Sequence, residues 1–238
     1  MNKKEFFEYI VPVVEPYLDK LGFVFKRSKD SFIRLMDDGW MSVGLSFYKF
    51  AGTYNFNMGF ELRKNNVQDI YAKYIDMNPA GYKTSSTMGF ALTQFWNQKS
   101  PAAFEFSTIE ELNGLLKEKI IPFLTDSVPL FSEKYNKLEN IYILFTDPTE
   151  PNNKYIYPNY SHYITALITG WLVYPDNFDM VINRCKELFL QIRNKYPDHY
   201  DIELYDRDFD NIVADLKHAN GDPNQIGKFW SIDKMTSV

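Results

Sequence analysis

The sequence predicts an α+β fold, with an N-terminal helix and a four-stranded antiparallel meander followed by a predominantly helical second half. Three observations carry that reading. Within residues 23–64, positions 40–48 and 54–63 alternate apolar and polar side chains with a period of two, the pattern of strands with one buried face. Asp37-Asp38-Gly39 and Ala51-Gly52 punctuate the alternation with turns. Beyond residue 107 the apolar residues recur mostly at spacings of three and four, as on amphipathic helices.

The opening segment, 2–21, places Phe6, Phe7, Ile10, Val14, Leu18 and Leu21 at helical spacing. Pro12 and Pro16 lie inside it, and an interior proline removes a donor and crowds the preceding turn. The expectation is a kinked helix, or a short helix and a restart, ending at Gly22. Residues 23–27 read as a strand, Ser28-Lys29-Asp30 as its turn and 32–36 as the next strand. Asp37-Asp38-Gly39 forms the hairpin, because Asp-Gly accepts positive φ. Then Met41, Val43, Leu45 and Phe47 alternate with Trp40, Ser42, Gly44, Ser46 and Tyr48. After the next turn, Tyr54, Phe56, Met58, Phe60 and Leu62 alternate with Asn55, Asn57, Gly59, Glu61 and Arg63. The first helix is the expected cover of the apolar face.

A short helix is expected over 67–75. Pro79, Gly81 and a Thr/Ser cluster mark a loop, and 88–96 is a candidate fifth strand. Ser107-Thr108-Ile109-Glu110 reads as a capping box that opens a helix carrying Ile109, Leu112, Leu115, Leu116, Ile120 and Phe123. Pro122 predicts a bend or stop. A helical stretch over 130–138 then leads to an apolar strand, 141–145. The turn-rich run 147–153 is the best internal boundary. Residues 160–173 fit helix or strand. Asp176 can cap a helix buried through Val181, Cys185, Leu188, Phe189, Ile192 and Tyr196, and 208–219 makes a last helix, stopped by Asn220-Gly221-Asp222-Pro223. The final fifteen residues read as loosely held. One compact unit over 1–238 is favoured; the alternative divides it into 1–146, helix plus sheet, and 147–238, mainly helical.

Composition removes several functions. The 238 residues are 45% hydrophobic and 24% charged, a globular balance, and 17% aromatic. A net charge of −5 argues against nucleic acid, whose phosphates need clustered Lys and Arg. The single cysteine, Cys185, allows no internal disulfide and no multi-cysteine metal site; it falls on an apolar stripe and reads as core. No apolar run is long enough to span a bilayer, and the N-terminus lacks a secretory pattern. Cytoplasm is therefore the expectation, and the Asn159-Tyr160-Ser161 sequon carries no weight.

No Gly-x-Gly-x-x-Gly, Walker, Gly-x-Ser-x-Gly or His-Glu-x-x-His pattern occurs, so no cofactor is called for. The histidines His162, His199 and His218 show no zinc spacing. Asp206-x-Asp208-x-Asp210 resembles the start of a calcium loop. The sixth position is Asn211 instead of glycine and the twelfth is Lys217 instead of glutamate, which rules out an EF-hand. Asp206 and Asp208 are expected near a helix N-terminus, where acids complement the dipole.

Two surfaces remain as candidates. One is the polar sheet face, where Ser42, Gly44 and Ser46 run beside Asn55, Asn57 and Gly59, framed by Trp40 and Tyr48. Such a flat face suits a docking platform, the floor of a ligand pocket, plain solvent, or a helix packed closely on its small residues. The other is acidic: Asp198, Asp201, Glu203, Asp206, Asp208 and Asp210, interleaved with Tyr196, Tyr200 and Tyr205 and opposed by Arg207 alone. It suits a basic protein partner. Tyr155, Tyr157, Tyr160 and Tyr163 form a smaller aromatic series.

Leu21-Gly22-Phe23-Val24-Phe25-Lys26-Arg27 after a helix, the meander, and Ser107-x-x-Glu110-Glu111-Leu112 leading to Ile121-Pro122-Phe123 together resemble a family of uncharacterised bacterial proteins known as a domain of unknown function. The resemblance covers residues 1–125 and implies no catalytic residue. The expectation is a non-catalytic protein-binding module, for instance an antidote or immunity protein whose acidic patch meets a basic toxin. The alternative is a small-molecule-binding protein or enzyme with a pocket on the polar sheet face and His162 or His199 as acid–base. The sequence leaves the oligomeric state open.

Overall fold

The computed structural model describes residues 1–50, 52–74, 79–95, 103–155, 160–195 and 201–226. In chain order, α1 (Lys3–Asp19) leads into β1 (Val24–Lys26), β2 (Ser31–Met36), β3 (Gly39–Phe50) and β4 (Thr53–Lys64). Next come α2 (Asn65–Tyr71), α3 (Pro79–Thr84), β5 (Met88–Ala91), α4 (Leu92–Phe95) and β6 (Phe104–Phe106). The helices α5 (Ile109–Leu115), α6 (Val128–Lys134), α7 (Leu138–Thr146), α8 (Tyr160–Val173), α9 (Phe178–Lys195) and α10 (Asp201–Ala219) complete the fold. The α+β architecture with a helical second half is as the alternation predicts. The chain gathers into two compact units, 1–64 with 86–136 and 65–85 with 137–238. The divisions follow Lys64, Ser85 and Asn136, and the turn-rich run 147–153 lies inside the second unit.

In the first unit, the strands pair antiparallel in the order β1-β2-β3-β4-β5, and β6 also pairs with β4. The β3–β4 ladder runs from Gly39↔Lys64 to Phe50↔Thr53. Met36 pairs with Gly39, so Asp37 and Asp38 are the loop residues and glycine begins the strand. The need for glycine there is closeness: a Cβ would stand 1.9 Å from the Arg63 carbonyl oxygen. Phe32, Met41, Val43, Leu45, Phe56, Met58, Phe60 and Leu62 are buried on one face. Phe6 of α1 stacks on Phe47 there, with ring centroids 4.3 Å apart. Each such fully buried side chain contributes about 1.5–3 kcal/mol.

Helix α1 is one element of 17 residues with both prolines inside it, not two pieces. Asn2 caps it reciprocally with Glu5. Glu8, Pro12 and Pro16 are exposed, so the carbonyls that lose a donor, those of Glu8 and Pro12, sit on the side water can reach. The capping box at the second start is displaced by one residue from the expected one. The Thr108 hydroxyl accepts from the Glu111 N–H, and the Glu111 carboxylate returns to the Thr108 N–H. The helix it opens does not stop at Pro122. It passes through two wider, π-type turns, Leu116–Ile120 and Phe123–Ser127, into α6. Such turns accommodate the proline ring and its missing donor. Phe131 of α6 meets Phe60, Phe90, Phe95 and Tyr135 within the core.

Lys64 ends β4 with 1% of its surface exposed. Its ammonium donates to Asp38 Oδ2 at 2.7 Å and Asn136 Oδ1 at 2.9 Å, while its backbone N–H donates to Thr87 Oγ1. One residue, through its ammonium and its backbone N–H, thus ties together the three places where the chain leaves or rejoins this unit.

In the second unit, α8 is the central helix, buried continuously from 163 to 171 and packed by α2, α7, α9 and α10. The run 141–145, expected as a strand, is helical and forms part of α7. Ile141, Tyr142, Leu144 and Phe145 are all buried, and a run buried nearly all round has no period to distinguish strand from helix. Gly170 makes the crossing possible, since a Cβ there would lie 2.4 Å from Val181 Cγ1 and 2.8 Å from Tyr142 Cε2. Arg184 donates to the Thr146 carbonyl from Nε at 3.0 Å and from a terminal guanidinium nitrogen at 2.7 Å, closing the end of α7. Helix α10 stops where Asn220 and Gly221 take positive φ. The segment after it is held, not loose, as far as Ile226: Lys73 Nζ donates to the carbonyls of Pro223 and Ile226. Residues 227–238 lie outside the described part. The expected loop around Pro79 and Gly81 is the short helix α3, and β5 is half the length of the expected fifth strand because α4 follows it.

Candidate functional site

The face of the sheet opposite α1 is built by register. Cross-strand rows put Val24, Ile33, Ser42, Glu61 and Gly89 side by side, and Lys26, Ser31, Gly44, Gly59 and Ala91 in the next row. Leu35, Trp40 and Arg63 form the row at one end; Ser46 with Asn57, then Tyr48 with Asn55 and Glu105, lead to the other. All six sheet-face candidates, Trp40, Ser42, Ser46, Tyr48, Asn55 and Asn57, therefore share one surface. Ser42 and Asn55 are buried, Trp40 and Asn57 half-buried, and Ser46 and Tyr48 exposed.

The ends of this face are apolar. Leu35 is 81% exposed and Val24 55% beside half-buried Ile33 and Trp40, and Phe50 is 73% exposed at the hairpin tip beyond Tyr48. The middle is flat, with Gly44 opposite Gly59. Gly59 also answers a need within the sheet, because its Cβ would come within 3.1 Å of the Phe90 carbonyl oxygen of β5. The Glu61 carboxylate accepts a hydrogen bond from Ser42. Loss of hydration among its neighbours raises its pKa, and that hydrogen bond opposes the rise. Val24, Leu35 and Phe50 are members that the alternation argument missed. The signal for Leu35 was there: in 32–36, Ile33 and Leu35 on one face are apolar as well as Phe32 and Met36 on the other, which a sheet with one dry face does not require.

The acidic segment is mostly helix. Because α10 begins at Asp201, Asp206 and Asp208 lie a turn or more inside it and not at its N-terminus. Phe209, Ile212 and Leu216 of this helix are buried, and Asp210 is exposed. Asp208 is half-buried. The exposed Asp210 carboxylate lies 3.4 Å from Lys186 of α9, and Lys217 reaches Asp179 at 2.6 Å. The two pairs show that the helices run antiparallel. Asp198 and Tyr200, with Tyr196 and His199, lie outside the described residues, as do the side chains of Asp201, Glu203, Tyr205 and Asp206.

A cleft of about 510 Å3 opens in the second unit between the end of α8, the turn before α9 and the end of α10. Trp171 and Leu216 lie at its base, and the Asp179–Lys217 ion pair crosses it; none of its lining residues is a histidine. His162 lies against the Phe145 ring, with centroids 5.3 Å apart. Cys185 is fully buried, and burial pushes its thiol up to about 12, a core residue as its stripe implies. Among the described residues no cluster of three or more His, Cys, Asp or Glu could hold a metal ion, and no helix is long and apolar enough to cross a membrane. Compared with family models, curated proteins and solved structures, the chain matches none.

Proposed function

We propose that this chain is a non-catalytic protein-binding module that docks through the outer face of its sheet. The observation that carries the reading is Leu35, four-fifths exposed beside Val24 and Trp40 on a flat face whose other end presents Tyr48 and Phe50. Leaving large apolar side chains in water is unfavourable, and contiguous apolar area rimmed by polar residues marks interaction surfaces. Aromatic and aliphatic anchors around small, flat neighbours also match the core of a protein interface.

The acidic segment of α10 supports a basic partner less well, because Asp210 already faces Lys186. Tagged protein used as bait separates the two surfaces. A partner captured by the unaltered chain and by Asp210→Asn, but lost with Leu35→Glu at unchanged circular dichroism, supports the sheet face. Capture indifferent to Leu35→Glu but abolished by salt and by Asp210→Asn moves the function to α10.

A further inference from the structure

Half of β3 has no strand on one side. Strand β2 pairs with it only from Gly39 to Gly44, where Ser31 is the last partner, whereas β4 accompanies it to Phe50. The cause is local to Asp30. This residue takes a φ of 49°, its N–H turns back to the Arg27 carbonyl at 3.3 Å, and the single turn Arg27–Lys29 connects it to β1. On the other side of the hairpin, β6 covers Tyr54–Phe56 of β4. Positions 46–50 of β3 are therefore an open sheet edge, about 16 Å long at ~3.3 Å per residue.

One bond fixes which way the backbone groups point. Leu45 donates its N–H to the Asp30 carbonyl at 2.9 Å, away from β4. Along an antiparallel strand successive residues present their N–H and C=O to opposite sides. Phe47 and Lys49 therefore also point away from β4, while Ser46, Tyr48 and Phe50 point into its ladder. Among the described residues nothing pairs with the backbone groups of Phe47 and Lys49 on the open side. Donors and acceptors repeating every second residue are matched by another extended backbone.

The side chains narrow the class of occupant. Tyr48 and Phe50 are 48% and 73% exposed on the outer face. A residue set opposite Tyr48 belongs to a non-hydrogen-bonded pair, where side chains come closest, and a β-branched residue packs well on an aromatic ring there. Lys49 is exposed on the inner face, with its ammonium 5.2 Å from the centre of the Tyr54 ring. It favours an acid opposite it, and an edge lysine discourages two copies from joining edge to edge. We propose that this edge receives an extended segment of a partner protein as a further antiparallel strand, with an acid opposite Lys49 and a β-branched residue opposite Tyr48. The site goes beyond the docking face, because neither Leu35 nor Trp40 takes part.

The probe is the end-blocked peptide Thr-Val-Glu-Ile-Val-Thr carrying fluorescein, with binding to the intact chain read by fluorescence anisotropy. Antiparallel addition sets its glutamate opposite Lys49, its isoleucine opposite Tyr48 and its second valine opposite Phe47. Saturable binding below about 1 mM is expected. N-methylation of the glutamate or the second valine should weaken it by at least ~10-fold, because those N–H groups face β3. N-methylation of the isoleucine, whose N–H faces away, should change it little. Lys49→Pro removes an outward N–H and leaves the β4 ladder, so it should weaken binding comparably at unchanged circular dichroism. Lys49→Glu should weaken it too, and a peptide with lysine in place of its glutamate should recover the loss. Leu35→Glu should leave peptide binding unchanged. Absence of saturable binding, or equal sensitivity to all three N-methylations, overturns the proposal; partner capture that depends on Leu35 would then leave the docking face standing. The expected peptide pattern, with capture indifferent to Leu35→Glu, upholds the edge and ends the docking face.

Discussion

Exchanging Lys64 for methionine should disturb the first unit less than removing its counter-ion, although the lysine is the buried member of the pair. The ammonium is out of water, with 2% of its side chain exposed, whereas the Asp38 side chain is 53% exposed. Hydrogen bonds made by a charged group are worth about 1.5–3 kcal/mol, and Lys64→Met loses the two to Asp38 and Asn136. The same change also abolishes a desolvation penalty of several kcal/mol, and both abandoned oxygens can return to water. The net cost is expected at about 1 kcal/mol or less. Asp38→Ala instead leaves the cation buried without its counter-charge, for which about 3–5 kcal/mol is typical; partial exposure of Asp38 screens the pair and brings the expectation to about 2–3 kcal/mol.

Native-state hydrogen exchange of the β3 and β4 amides reads the opening of this unit directly. Asp38→Ala should lower their protection more than Lys64→Met, and the double variant should return close to Lys64→Met. A Lys64→Met variant that loses as much as Asp38→Ala, or more, would refute the reasoning. It would show that the cation acts by stabilising its partners and is not itself the group needing compensation.

Moving a cap by one residue is measurable: Thr108→Ala should cost about 1 kcal/mol and Ser107→Ala little, in urea denaturation followed by circular dichroism. Gly170→Ala should destabilise the second unit by about 1–3 kcal/mol, seen as a lower Tm, because the methyl meets Val181 and Tyr142 at less than contact distance. With the Cys185 thiol pushed up to about 12, a thiol reagent at mildly alkaline pH should leave the native chain unmodified and label it fully once unfolded. Fast labelling of the native protein would show that α9 opens locally.

Elements whose signal is local were legible. The alternation over 40–48 and 54–62, with short turns, specifies a hairpin that needs nothing distant to define its register, and β3 and β4 pair along their whole length. The stripes of α1, α9 and α10 were legible for the same reason, because each helix shows one apolar side to one core. The sheet-face candidates were found because the meander fixes which side chains share a surface. The acidic cluster was seen as a run of charge, but that most of it is helix needed the true start of α10 at Asp201.

What the sequence by itself determined is therefore the meander, the capping box within one residue, the stop of α10 at Asn220-Gly221, and the burial of Cys185, all governed by neighbours a few positions away. Tertiary structure alone decided the rest. It made 141–145 helical, because a run wrapped by other helices carries no periodicity. It paired β6 with the far end of β4, Tyr54↔Phe106, where three residues hold too weak a signal of their own. It buried Lys64 between Asp38 and Asn136, residues remote in the chain. It also set Leu35 beside Trp40 on the open face of the sheet. Contacts between distant segments select among local conformations of nearly equal free energy, and no short window of sequence contains both partners.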